Sequence, residues 1–89
     1  MSNTIAGTAT IHAAFVTRKY EGVARYDHDV TVVPGTYDLT TDRRIPGQYL
    51  VKVNARRVDN GELEQHTLRI YTYDVDNFQQ RNNATIVLH

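Results

Sequence analysis

The chain has 89 residues, a length that suits one all-β domain over 1–89 burying roughly 60 to 65% of its unfolded surface. Ten Lys and Arg balance ten Asp and Glu, which argues against a duplex-DNA binder with a broad basic footprint and allows only a local basic patch. With no cysteine, disulfide frameworks, thiolate metal sites and cysteine nucleophiles are excluded.

The first residues, Met1 to Gly7, lack a basic region followed by an apolar one, and no run is long enough to span a bilayer. The expectation is a cytoplasmic or phage-in-host protein with no membrane partner. Residues 4–17 alternate, with Ile5, Ala9, Ile11, Ala13 and Phe15 on one face and Thr8, Thr10, His12 and Val16 on the other, which predicts a half-buried first strand. A turn over 18–22, with Gly22 in a positive-φ position, leads into a second strand, 24–32, expected to pair antiparallel with the first. Its faces divide into Ala24, Tyr26, His28, Val30 and Val32 against Arg25, Asp27, Asp29 and Thr31. A break at 33–36 precedes a short segment, 37–40, and a polar stretch, 41–44. Further on, 74–83 reads as a polar loop with one helical turn near Phe78, and 84–88 as a last strand.

The strongest local signal lies between them. Two alternating runs over 49–73 flank Asn60-Gly61, a pair that suits a type I′ turn because both residues tolerate positive φ. A two-residue loop there sets Arg57 opposite Glu64, Ala55 opposite His66 and Lys52 opposite Arg69. Val51, Val53, Ala55, Leu68 and Ile70 then form a core face. The other face carries Lys52, Asn54, Arg56, Thr67, Arg69, Tyr71 and Tyr73. Like charges facing each other across a ladder destabilise it by a few tenths of a kcal/mol, on the order of the usual cross-strand terms. The basic stripe therefore calls for an anionic neighbour: Asp27 and Asp29 if the second strand lies alongside, or an external anion.

Pro-Gly-x-Tyr occurs at 34–37 and again at 46–49. Proline presets φ at the first central turn position and glycine takes positive φ at the second. The tetrapeptide, about a tenth of the chain when both copies are counted, resembles the start of a strand in immunoglobulin-like and carboxypeptidase-regulatory-like β-sandwich modules. What that resemblance implies is a sandwich.

Chemical motifs are sparse. Asp27-His28-Asp29 does not converge in a strand, because His28 points away from both carboxylates, so His28 reads as a partly buried structural histidine and no metal site is expected there. Arg57, Glu64 and His66 share a face and are similar in residue type to the apparatus of small guanyl-specific ribonucleases, in which a Glu and a His exchange protons while an Arg holds the phosphate. The preferred reading is plainer: an Arg57–Glu64 ion pair at a hairpin end beside a solvated His66. No nucleophile elbow, phosphate-binding glycine loop or His-Glu-x-x-His occurs, so neither enzyme activity nor a cofactor is expected.

The sequence thus predicts an antiparallel β-sandwich or small barrel of five to six strands with a non-enzymatic binding role. A protein partner is expected, or a second copy of the chain, since zero net charge and open sheet edges do little to prevent self-association. The candidate contact residues are Lys52, Arg56, Arg69, Tyr71 and Tyr73, with Tyr20 as a further anchor. The alternatives are a single-stranded nucleic-acid binder of oligonucleotide-binding-fold type, with bases stacked on the tyrosines, and a small acid/base hydrolase.

Overall fold

A computed structural model describes residues 3–17 and 28–89. The expected turn over 18–22, the first part of the second strand, Tyr20 and Asp27 lie outside them. The described residues form an all-β fold of seven strands in one strongly curled, antiparallel half-barrel sheet with one short helix. The strands are β1 (Asn3–Ile11), β2 (Phe15–Val16), β3 (Val30–Val32), β4 (Gly35–Asp42), β5 (Ile45–Arg57), β6 (Leu63–Tyr71) and β7 (Ala84–Leu88); a 3-10 turn over Thr72–Asp74 runs into helix α1 (Val75–Asn82).

The thirteen-residue β5 organises the sheet. One of its edges pairs with β4 near its start and with β3 near its end, while β6 covers the opposite edge. Beyond β4 come β1 and then β7, and β2 flanks β3. The chain crosses from β6 to β7 through α1, whose buried Phe78 fills the concavity and meets Phe15 edge to face at a centroid distance of 6.4 Å. Val75, Phe78 and Asn82 bring this face together at helical spacing. Asn83, with φ 49, ends the helix, and the Gln79 side chain accepts the Ile86 N–H, tying α1 to β7.

The core is the concave face: Ala9, Ile11, Val32, Leu39, Val51, Val53, Leu68, Ile70, Phe78 and Ala84. The expected core face of the hairpin is therefore correct in all five residues, and His28, Val30 and Val32 share the inner side as expected.

Several expectations change. The first strand is not continuous: it stops at Ile11, and β1 pairs with β4 and β7, so among the described residues the expected partner, β3, is met by β2 and by Thr17 just after it. A bulge between Ile5 and Gly7 resets the alternation and leaves Ile5 60% exposed. Ala13 is exposed as well, in the break between β1 and β2. The segment expected over 37–40 extends to eight residues, because Asp42, buried, accepts the backbone N–H and guanidinium of Arg44 and closes a tight turn into β5. Both Pro-Gly glycines have positive φ: Gly47 (77) within the start of β5, and Gly35 (157), nearly extended, at the opening of β4. The loop expected over 74–83 contains a helix of eight residues, held by the packing of Phe78 rather than by intrinsic propensity.

The 49–73 hairpin also differs in its turn. Arg57 N–H bonds to the Glu62 carbonyl and Gly61 N–H to the Arg57 carbonyl, leaving a four-residue loop, Val58 to Gly61. Gly61 takes positive φ (76) but Asn60 does not, so the turn is not type I′. Asn60 instead accepts the Glu62 N–H through its side chain, and Arg57 grips Asp59 through two bonds of 2.7 and 2.9 Å. The register consequently slips by two: Lys52 faces Thr67, Arg69 faces Leu50, and Glu64 faces Ala55. Because side chains alternate with period two, a slip of two preserves both faces while changing every pair.

Candidate functional site

Two clusters stand out, one on each side of the sheet. The outer face carries all five residues expected to make contacts. Lys52 and Arg56 are exposed on β5, Arg69 is half-buried on β6, and Tyr71 and Tyr73 follow in sequence. The two tyrosine rings stack at 5.4 Å and 19°, and Tyr73 is 83% exposed. The pair forms because Tyr71 ends β6 and the 3-10 turn swings Tyr73 back over it. Lys52 no longer opposes Arg69, so the like-charge clash disappears. Asp29 lies beside Val58, whose N–H bonds to its carbonyl, so it sits at the Arg57 end of β5, six residues along the strand from Lys52.

The second cluster is concave and joins residues from three elements. Glu64 and His66, two apart on β6, point inward; Arg57 points inward at the end of β5; and His28, just before β3, reaches them across β5. The Nε2 atoms of His28 and His66 each lie 3.0 Å from one oxygen, Oε2 of Glu64. Oε1 of Glu64 is 3.4 Å from Nη1 of Arg57. The two imidazoles meet edge to face at 6.2 Å. Hydrogen bonds from His28 and then His66 hold the Glu64 carboxyl below its ordinary pKa, so it is ionised at neutral pH.

The preferred reading of Arg57, Glu64 and His66 therefore needs correction at one point. The Arg57–Glu64 ion pair exists, though diagonally rather than between direct partners, but His66 is buried, at 4% exposure, and not solvated. His28 was absent from this group in the sequence reading. Its side is legible, through alternation with Val30 and Val32, but its approach to Glu64 depends on the curl that brings β3 and β6 together across β5. Among the described residues, His28, Glu64 and His66 make a group with metal-ligand spacing, their donor atoms all within 4.8 Å of one another.

Fold and clusters define a small, curled all-β domain with an imidazole–carboxylate group in its concavity and a tyrosine–cation face outside. No family model, curated protein or solved structure matches the chain. No helix among the described residues is long and apolar enough to cross a membrane.

Proposed function

We propose that the chain is a small non-enzymatic binding module of the cytoplasm that engages a protein partner, or a second copy of itself, along β6. The observation that carries this reading is that β6 is a nine-residue edge strand, its ladder among the described residues being with β5, and that it ends in the stacked, exposed Tyr71–Tyr73 pair. The bond from Arg57 N–H to the Glu62 carbonyl sets the alternation, so the backbone groups of Leu63, Gln65, Thr67, Arg69 and Tyr71 face away from β5. Long open edges recruit other strands unless guarded by proline, lysine or bulges. Here Arg69 is the only cation among those five residues, and no proline occurs. Strand addition supplies backbone hydrogen bonds, while tyrosine and arginine supply the anchoring contacts typical of interface hot spots.

The test is sedimentation velocity across a wide concentration range, together with affinity capture, on the chain and on Gln65→Pro and Tyr73→Ala. Gln65→Pro removes an outward N–H and leaves the β5 ladder intact. Association that is lost in both variants and persists at raised salt supports the reading; association unchanged in both overturns it.

A second reading rests on the same face. Arg69 lies two residues before Tyr71 on β6, and Lys52 and Arg56 continue the same outer face toward the far end of the hairpin, a line of cations suited to single-stranded nucleic acid, with a base on Tyr73 and cations along the backbone. Salt-sensitive binding of labelled single strands that vanishes in Arg69→Glu would replace the protein reading with this one. The ribonuclease reading is weaker, because the buried His66 spends its Nε2 on Glu64.

A further inference from the structure

Independently of what the outer face binds, we propose that His28, Glu64 and His66 form a binding site for a divalent transition-metal ion, zinc by preference, through two imidazole Nε2 atoms and Oε2 of the carboxylate.

The geometry is close to that of a coordination sphere. Zinc holds imidazole nitrogen and carboxylate oxygen at about 2.0–2.2 Å in tetrahedral array, so its ligand atoms stand roughly 3.3–3.5 Å apart. Two of the three edges needed are present at 3.0 Å, Nε2 of His28 to Oε2 and Nε2 of His66 to Oε2. All three donors already fall within 4.8 Å. An ion entering between them spreads the two short edges by a few tenths of an ångström. His28, whose side chain is 12% exposed against 3% for His66, is the ligand with more room to adjust.

The charge points the same way. Arg57 directs two short bonds, 2.7 and 2.9 Å, to Asp59 and a longer one, 3.4 Å, to Glu64. Without a metal, two imidazoles offer N–H groups to one carboxylate oxygen. A cation accepts lone pairs from all three donors instead.

The donor set selects the metal. Two imidazoles and one carboxylate suit zinc and its first-row neighbours, whereas calcium and magnesium take oxygen ligands. The scaffold also supplies an outer shell: Arg57 fixes the second oxygen of Glu64 and is itself fixed by Asp59, as ligand-orienting groups do at metal centres. Glu64 and His66 sit two apart on one strand, so the pleat presents both to the same side. Three protein donors leave a fourth position for water, on the side where Glu64 remains 25% exposed.

The experiment is calorimetric titration of the chelator-treated chain at neutral pH with zinc chloride, and separately with magnesium chloride. One zinc per chain with a dissociation constant of about 1 µM or tighter is expected, with proton release and no response to magnesium. His28→Gln and Glu64→Gln, each verified as folded by circular dichroism, should weaken zinc binding by about 100-fold or more, while His12→Gln and His89→Gln leave it unchanged. A measurement on the unaltered chain removes dependence on variant folding: on zinc addition the ¹⁵N resonances of Nε2 in His28 and His66 should move and those of His12 and His89 should not. Absence of saturable binding, retention of full affinity in the folded His28 and Glu64 variants, or shifts confined to His12 and His89 overturns the proposal.

Discussion

Gly7 lies where β1 runs against the backbone of β7. A Cβ built on it falls inside contact distance of the Val87 carbonyl oxygen and lies 3.0 Å from both Val87 C and Leu88 Cα. All three are backbone atoms of the neighbouring strand, so no side-chain rotation relieves the clash, and Gly7→Ala must push the end of β7 away. Gly7 pairs with Leu88, and just beyond it His89 N–H bonds to the Ala6 carbonyl at 2.8 Å. Losing about two ladder bonds at ~1 kcal/mol each, with a further ~1 kcal/mol of strain in what remains, gives a destabilisation of about 3 kcal/mol. For a domain of this size that lowers Tm by about 12–24 °C. Gly47→Ala provides the contrast: nothing lies within 4 Å of its Cβ, and only φ 77 opposes the change, a cost of about 1–2 kcal/mol. Gly47→Asn should recover part of that cost, because asparagine tolerates positive φ, whereas no small side chain rescues position 7. Urea and thermal unfolding followed by circular dichroism measure all three. A Gly7→Ala variant within about 0.5 kcal/mol of the parent, or one milder than Gly47→Ala, refutes the close-approach argument, since either lies outside the range for a backbone-blocked strand.

Two further predictions concern packing and pH. Phe78→Ala removes the helix side chain that fills the concavity and contacts Phe15; it should cost about 3–5 kcal/mol in urea denaturation, and a loss below about 1 kcal/mol would mean that α1 does not hold the sheet's curl. The hydrogen bond from Arg57 lowers the Asp59 carboxyl from 3.8 to about 2. A carboxyl whose pKa is depressed on folding stabilises the native state above its unfolded pKa, and this contribution disappears as pH falls through the folded value. The parent should therefore lose stability from about pH 4 toward pH 2 more steeply than Asp59→Asn. Parallel acid-unfolding curves would show that the Arg57–Asp59 bond contributes nothing to stability.

The all-β class and the composition of its faces were legible in the sequence because strand side chains alternate with period two. Val51, Val53, Ala55, Leu68 and Ile70 are inside on any pairing that keeps parity, so the two-residue slip of the hairpin left the core face intact while separating Lys52 from Arg69. The turn itself was not legible: Asn60-Gly61 suits a type I′ turn locally, but the Arg57–Asp59 bonds and the Asn60 side-chain bond stabilise a four-residue loop, and these depend on side chains beyond the dipeptide. The helix was likewise underread, since its eight residues carry one large apolar side chain, Phe78, whose burial is a property of the space the sheet encloses. The imidazole–carboxylate group shows the same division. Alternation placed Glu64 and His66 on one face and His28 on the inner face of its strand. Only the pairing of β3 and β6 with opposite edges of β5, and the curl of the sheet between them, decided that His28 meets Glu64, because long-range strand pairing and curvature are set by the summed packing of the core and leave no local mark in the sequence.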